Sequence, residues 1–218
     1  WPCNKIYNKI WAKIALRKIK AVCARGKYTE EYLTNLGLAN IISCADCAFI
    51  MPDGDESKNK VKEIMQKDKF FDKKFITLSI SSVVFKSCEK AGIDYFDIMK
   101  RFIKYINNKG YGVFIIANAA RKGTEKLKNN DLPIGEKLYG MIDNNKDVRW
   151  YNKEFTPEII REIISKSNIL VASRFHAMIG ALEKGVPVLL VGWSHKYKEV
   201  LDMFDLEEYS VDYKNLHY

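Results

Sequence analysis

The chain has 218 residues, 47% of them hydrophobic, and a formal net charge of +9. This length accommodates one large domain, or one domain and part of another, and the apolar content supports a substantial core. The lysines are scattered through nearly every segment, whereas nucleic-acid-binding surfaces concentrate basic residues on one face with aromatic side chains nearby. The composition therefore disfavours nucleic acid as a partner and favours a site for a phosphate or carboxylate on a basic surface.

Two further features narrow the class of protein. No run of about 18 apolar residues is present, so the sequence predicts no membrane span. The five cysteines are odd in number and unevenly spaced, which argues against a disulfide framework and predicts a reducing, cytoplasmic location. Cys44 and Cys47 have the spacing of half a zinc site, but no second Cys or His pair follows at a suitable distance. We therefore expect these two thiols to be unbridged and free of metal.

The first 52 residues predict the end of a small α/β lobe. Residues 5–19 have the pattern of a basic amphipathic helix. After it the pattern predicts strands at 21–24 and near 41–44, with a helix at 29–36 between them. Because this is too short to close a sheet, residues 1–52 are interpreted as the end of an N-terminal lobe and the polar residues 53–73 as a linker. Either peripheral contact with an anionic membrane or packing against its own lobe explains the apolar stripe of the first helix, and packing is favoured.

Residues 74–218 predict a parallel sheet with helices on both sides. Apolar runs alternate with segments of helical periodicity, and one helix has clear start signals in Thr156 as N-cap and Pro157 at its first position. The predicted strands are residues 75–81, 113–117, 147–151, 169–172 and 186–191. Since these runs are apolar on both faces, the sequence predicts a doubly wound, Rossmann-like α/β fold.

The most informative loop is the turn Ser173-Arg174-Phe175-His176, which ends a buried strand and begins a helix. Ligands of open parallel sheets bind outside the carboxyl ends of the strands. Arg174 offers a planar fork for a carboxylate or phosphate, and His176 can transfer a proton near neutral pH. The backbone amides of the first helical turn also favour an anion. A structural turn, with Ser173 as N-cap, a surface arginine and a partly packed histidine, fits the same pattern.

This turn is part of a longer pattern. Residues 173–177 read Ser-Arg-Phe-His-Ala, followed by Gly180-Ala181, Gly185-Val-Pro-Val188 and Lys196. The pattern resembles the C-terminal signature of the polysaccharide pyruvyl transferases, although Phe175 stands where that family usually has leucine.

Upstream segments are similar to the same family. They are Arg25 with Thr29-Glu-Glu-Tyr-Leu33, Asp46-Cys-Ala-Phe49, and a more variable loop with Asn118, Arg121 and Asn130-Asp131. Gly26 stands where the family often has an acid. The expectation is therefore that Arg25 lacks a partner.

The resemblance implies a two-lobed fold like that of the GT-B glycosyltransferases, with phosphoenolpyruvate as the donor substrate and a glycan as the acceptor. It implies no cofactor and no metal. His176 and Arg174 are then the expected catalytic residues. The expected substrate-binding residues are Ser173, Arg25, Asn118, Arg121 and Lys196.

Two other functions stay open at this stage. The first is a GT-B-type glycosyltransferase that uses a nucleotide sugar, for which Glu183 is the only acid near the signature turn that could grip the ribose. The second is a non-catalytic module that binds an anionic polymer in a basic cleft.

Overall fold

A computed structural model describes residues 5–124, 126, 129–143, 146–192 and 195–216. Over these residues the chain forms a two-stranded sheet near its N-terminus and a separate six-stranded sheet. We refer to the first, residues 5–44, as the small unit, and to the structure built on the six-stranded sheet, from residue 55 onward, as the large unit.

The small unit has a βαβ arrangement preceded by a helix. Its two strands pair in parallel, with Val22 opposite Ile41. Its hydrophobic cluster contains only three buried residues, Ala24, Leu33 and Leu38. The elements are α1 (Ile6–Arg17), β1 (Val22–Arg25), α2 (Lys27–Asn35) and β2 (Ile41–Cys44).

Helix α1 turns its apolar stripe away from the small unit. Its partly buried residues are Ala12, Lys13 and Leu16, and Leu16 packs against the cluster of the small unit. By contrast, the other four side chains of the apolar stripe stay between 47% and 76% exposed: Ile6, Ile10, Trp11 and Ile14. The expectation that the stripe packs on its own lobe therefore holds for Leu16 and is wrong for these four side chains within the described part of the chain, and membrane contact stays a prediction.

The large unit is built on six parallel strands in the order β5-β4-β3-β6-β7-β8. This is the strand order of a Rossmann fold, and the order reverses between β3 and β6. Every residue of β3 and β4 is buried, as expected for strands covered on both faces. The doubly wound α/β fold is confirmed. The strands are β3 (Phe75–Ile80), β4 (Gly112–Ala117), β5 (Val148–Trp150), β6 (Ile169–Ala172), β7 (Val188–Val191) and β8 (Ser210–Val211).

Helices cover both faces of this sheet. On one face, Ile163 and Met178 are among the helical residues of one core cluster, and on the other, Ile103 and Leu138 belong to a second cluster. No helix of the described residues has the length and apolar character needed to cross a lipid bilayer. The helices are α3 (Asp55–Lys67), α4 (Ser82–Lys90), α5 (Tyr95–Asn108), α6 (Leu132–Gly140), α7 (Pro157–Ser165), α8 (Phe175–Glu183) and α9 (His195–Asp202).

The segment interpreted as a linker is largely folded. It contains α3 and a short 3-10 helix over Lys69–Asp72. Val61 of α3 and Phe70 belong to the core of the large unit, where Phe70 packs against Phe75 and Phe114. Residues 55–72 therefore form part of the large unit. Their polar composition reflects a helix that buries only one narrow face.

Candidate functional site

The carboxyl ends of β3 and β6 lie side by side at the point where the strand order reverses, which is where folds of this type bind ligands. Ser173, directly after β6, is buried and its amide donates to the carbonyl oxygen of Ser79 at 2.9 Å. Its own carbonyl oxygen accepts from the Tyr197 hydroxyl at 3.4 Å. The signature turn is thus held against the neighbouring strand on one side and against α9 on the other.

Arg174 occupies the N-cap position of α8, so the structural alternative with Ser173 as N-cap is wrong. The Arg174 side chain does not cap the helix. Its guanidinium instead faces Asp131: Nε donates to Oδ2 at 2.9 Å and Nη2 donates to Oδ1. The fork expected to face a substrate is therefore occupied by a carboxylate of the same chain.

His176 lies in the first turn of α8 and is exposed. It lines a cleft of about 650 Å³, a volume in the range of small-molecule sites. The cleft runs between residues 48–51, which follow the small unit, and the carboxyl edge of the large sheet, and Arg174 is not among the residues that line it. The lining includes Ala48, Met51, Asn118, Glu154, Phe155, Ile160, Arg161, His176 and Ile179.

Arg25 reaches the site from the small unit, and it has partners. Its Nη1 donates to Asp46 Oδ2 at 2.6 Å, and its guanidinium carbon lies 4.7 Å from the centroid of the Phe175 ring. The expectation that Arg25 lacks a partner is wrong, because the acid comes from position 46 and not from position 26. Phe175, where the family usually has leucine, adds an aromatic face on which the cation rests.

Asp46 connects the small unit to the neighbourhood of His176. Burial by itself raises the pKa of this carboxyl, but hydrogen bonds from the Ala48 amide and from Arg25 lower it by more. The charges of Arg25 and His176 act in the same direction, so the pKa of Asp46 lies below its ordinary value. Asp46 is therefore a carboxylate at neutral pH, placed to balance the cationic groups on this side of the site.

Gly26 is required by the packing between the small unit and α9. Its φ is +95°, and a Cβ added there would lie 2.5 Å from Cδ of Glu199. Glu199 is buried, and its Oε1 accepts from the amide of Thr29 at 3.1 Å, in the first turn of α2. The absence of a side chain at Gly26 lets a carboxylate from α9 reach the N-terminus of α2, which ties the small unit to the large one.

The remaining predicted residues lie in different places. Asn118 lines the cleft, and its Oδ1 accepts from Ser79 Oγ at 3.3 Å. Arg121 is exposed and lines a separate hollow with Lys122 and Lys137. Lys196 is exposed near the start of α9 and is not a lining residue of the His176 cleft. The structure thus brings Asn118 and His176 together and leaves Arg121 and Lys196 outside this cleft.

Two buried charged residues are absent from the predicted site residues, although the loop similar to the family includes Asp131. Arg161, on α7, lines the cleft, donates from Nη1 to the carbonyl oxygen of Met51 at 3.0 Å, and lies 2.6 Å from a carboxylate oxygen of Glu183. Asp131 is completely buried and holds Arg174. The sequence signal for Asp131 was its place just before α6, at the end of the loop that leaves β4 at the ligand-binding edge.

The cysteines among the described residues, Cys23, Cys44, Cys47 and Cys88, are free thiols. Burial, together with the nearby Cys23, raises the pKa of the Cys44 thiol. This keeps Cys44 protonated at neutral pH, the form that neither binds metals nor attacks disulfides.

A Rossmann-order sheet with an arginine–histidine turn at its switch point, beside a cleft of small-molecule size, defines this chain as a doubly wound α/β protein with a candidate ligand site at the carboxyl edge of its sheet. The family model of the polysaccharide pyruvyl transferases matches residues 1–195, so the chain belongs to this family. Membership confirms the resemblance of the signature turn and identifies the protein as a transferase of pyruvyl groups to polysaccharide. No curated protein and no solved structure matches the chain.

Proposed function

We propose that this protein transfers the pyruvyl group of phosphoenolpyruvate to hydroxyls of a polysaccharide or glycan precursor and forms a cyclic ketal. The observation that carries the proposal is the signature turn of a pyruvyl transferase family member at the switch point of the sheet, with His176 lining a cleft, Arg174 in the same turn and Arg25 against the Phe175 ring. A cytoplasmic location, where phosphoenolpyruvate is made, belongs to the same proposal.

The donor has a phosphate ester and a carboxylate on the same carbon, so its binding needs several positive groups that converge. In this proposal Arg174 contributes Nη1, which has no hydrogen-bond partner among the described residues. The first amides of α8, which the Arg174 side chain does not cap, contribute a second anion-binding group. Arg25 contributes from the small unit, held by Asp46 and the Phe175 ring. Arg121 and Lys196 are proposed to act on more distant parts of the substrates.

The chemistry requires a proton on the methylene carbon of phosphoenolpyruvate, which becomes the methyl group of the ketal. The adjacent carbon then has oxocarbenium character, and a sugar hydroxyl attacks it with loss of its proton. Cleavage of the carbon–oxygen bond releases inorganic phosphate, and a second hydroxyl closes the ketal. His176 is placed to deliver the first proton or to accept one from a hydroxyl. The cations stabilise the charge that develops on the leaving phosphate.

The nucleotide-sugar alternative depended on Glu183 as a ribose ligand. In the structure Glu183 lies 2.6 Å from Nη2 of buried Arg161 and 3.3 Å from Nζ of Lys184. A carboxylate so engaged would have to leave two cations to bind a ribose.

Thermal unfolding in the presence of candidate ligands tests the proposal. A ligand that binds only the native state adds about 2.7 kcal/mol of stability at a hundred times its Kd. We expect phosphoenolpyruvate to raise the Tm, with smaller effects of inorganic phosphate, a uridine diphosphate sugar and an oligonucleotide. Arg174→Ala should abolish the shift, whereas Arg101→Ala, at an exposed i,i+4 ion pair with Asp97, should keep it. A shift with the nucleotide sugar or the oligonucleotide alone would overturn the proposal.

A further inference from the structure

Asp131 is the most densely bonded carboxylate of the ligand-binding edge. Its side chain is completely buried and accepts four hydrogen bonds, two on each oxygen. Oδ1 accepts from the Ser82 amide at 2.8 Å and from Arg174 Nη2, and Oδ2 accepts from the Ala119 amide at 3.1 Å and from Arg174 Nε at 2.9 Å. A carboxylate offers about four lone-pair sites, so its accepting capacity is fully used.

These donors come from three different loops of the same sheet edge. Ser82 follows β3, Ala119 follows β4 and Arg174 follows β6. The strands β3 and β6 flank the switch point, so Asp131 joins the two sides of the ligand-binding crevice with one side chain. Its own amide also donates to the carbonyl oxygen of Ala119 at 2.6 Å, which fixes the carboxylate relative to the end of β4.

The arrangement leaves Arg174 a single orientation. Nε and Nη2 both donate to Asp131, and Nη2 also donates to Ser82 Oγ at 3.2 Å. Only 17% of the Arg174 side chain is exposed, and Nη1 is the one guanidinium nitrogen with no hydrogen-bond partner among the described residues. The guanidinium is thus oriented before any ligand arrives, and it offers a ligand one defined nitrogen.

We propose that Asp131 is a positioning residue, which acts through Arg174 by fixing the Nη1 edge toward the anionic donor. The inference rests on the proposed function, because it takes phosphoenolpyruvate as the ligand. Pre-orientation matters because a flexible arginine loses side-chain entropy on binding, whereas one already held by a carboxylate does not. Asparagine cannot replace Asp131, since its amide nitrogen would face two N–H donors on whichever side it took.

The test is a calorimetric titration of the protein with phosphoenolpyruvate, in native form and as Asp131→Asn. Asp68→Asn is the matched control. Asp68 also accepts from an arginine Nε, that of Arg149 at 2.8 Å, and from the Phe70 amide at 2.9 Å, but it lies before β3, at the opposite edge of the sheet. Asp131→Asn should weaken phosphoenolpyruvate binding about tenfold to a hundredfold, the range of a lost or misaligned charge-assisted hydrogen bond. Asp68→Asn should lower the Tm but leave the affinity for phosphoenolpyruvate within about twofold of the native value.

Ser82→Ala keeps the test decisive if Asp131→Asn does not fold. It removes only the hydroxyl that accepts from Nη2, and we expect a drop in affinity of about threefold, within the range of one weak hydrogen bond. A spectroscopic measurement tests the orientation of Arg174 without any phosphoenolpyruvate. The Nε–H resonance of Arg174 should exchange slowly with water, unlike that of exposed Arg101, and should become fast in Asp131→Asn.

Three results would overturn the inference. Native affinity in both Asp131→Asn and Ser82→Ala would show that Asp131 has a structural role only. An Arg174 Nε–H that exchanges as fast as that of Arg101 in the native protein would show that no orientation is fixed. If the native protein did not bind phosphoenolpyruvate but its Arg174 Nε–H were protected, the proposed function would be refuted. The role of Asp131 in binding phosphoenolpyruvate would then be refuted as well.

Discussion

The two units of this chain use the same strand–helix–strand pattern and reach very different degrees of burial. In the large unit every residue of β3 and β4 is buried, whereas in the small unit Ala24 is the only buried residue of its two strands. The difference arises because helices cover both faces of the large sheet, whereas a two-stranded sheet packed against so few helices cannot exclude water from its faces. The small unit therefore depends on contacts with the large one for its place in the molecule.

Those contacts are mostly polar and converge on the site. Glu199 from α9 meets the start of α2, and Arg25 rests on Phe175 while it pairs with Asp46. The large unit contributes the turn with Arg174 and His176. Catalytic chemistry and stability should therefore respond to changes in the large unit, whereas changes in the small unit should mainly affect how the two units fit together.

The largest effect is expected from the proton-transfer group. His176→Ala should lower turnover by about a hundredfold to ten-thousandfold, the usual contribution of a positioned acid or base, with little loss of donor affinity. Arg174→Ala should lower both turnover and donor affinity, because a guanidinium binds the anion in the ground state and in the transition state. Steady-state turnover and direct titration with phosphoenolpyruvate measure the two quantities separately.

Arg101→Ala, far from the cleft, is the control for this pair. Near-normal turnover in His176→Ala would remove its catalytic role. The signature turn would then be an anion-binding turn only.

A pair of identical truncations compares the two cores. Leu170→Ala, at a fully buried position of β6, should cost about 2–5 kcal/mol in the free energy of unfolding. Leu33→Ala, in the three-residue cluster of the small unit, should cost about 1–2 kcal/mol, because water and neighbouring side chains can fill the space at a thinly covered site. Urea unfolding followed by circular dichroism measures both. Equal losses would show that the two units share one cooperative core.

A third comparison examines the junction itself. Gly26 and Gly92 both have positive φ, +95° and +70°, but a Cβ at Gly26 meets Glu199 while one at Gly92 meets nothing within 4 Å. We expect Gly92→Ala to cost about 1 kcal/mol from the backbone alone. Gly26→Ala should cost about 2–3 kcal/mol, because it adds displacement of a buried carboxylate to the backbone strain.

The double mutant separates these two contributions. If the clash with Glu199 matters, Gly26→Ala should cost less in a Glu199→Ala background than in the native one, by about 1 kcal/mol. Strict additivity of the two substitutions would assign the whole effect to the backbone at Gly26.

The sequence predicted some elements of the large unit and missed others. Apolar runs located all but the last short strand of the large sheet, and the turn at residues 173–176 was placed at the correct edge. Periodicity failed for α3, whose buried face is narrow, and for α4, which begins at Ser82 with only its N-cap Ser81 between it and β3. A pattern of residue types reports whether a face is buried, but not how closely two elements follow each other.

The partners within the site were beyond such patterns for a different reason. Asp131 lies 43 residues from Arg174, and Glu199 lies 170 residues from Thr29. Local periodicity contains no information about which distant side chain meets a given one. The sequence therefore placed Arg174 at the ligand-binding edge correctly, but not the direction in which its guanidinium points.

The smallest expected effect concerns the exposed face of α1. Residues 5–29 contain basic side chains and no Asp or Glu, and the apolar stripe of α1 faces away from the small unit. A helix of this kind binds anionic lipid surfaces through its apolar face, with about 1 kcal/mol added by each lysine near the surface. We expect the protein to sediment with vesicles that contain phosphatidylserine and not with pure phosphatidylcholine vesicles, and the binding to weaken as salt is added.

Substitutions on α1 and α2 distinguish lipid binding by the α1 stripe from nonspecific adsorption to vesicles. Trp11, 69% exposed within the stripe, should contribute to binding, so Trp11→Ala should weaken vesicle association several-fold. Lys9→Glu should weaken it about tenfold, because it removes one attractive charge and adds a repulsive one. Tyr28→Ala, at an aromatic residue of α2 that is 55% exposed, should have no effect. Sedimentation that is equal with neutral and anionic vesicles, or equal for Trp11→Ala and Tyr28→Ala, would contradict the prediction. The exposed stripe would then be a surface for protein and not for lipid, and the small unit would owe its thin core to a missing protein neighbour.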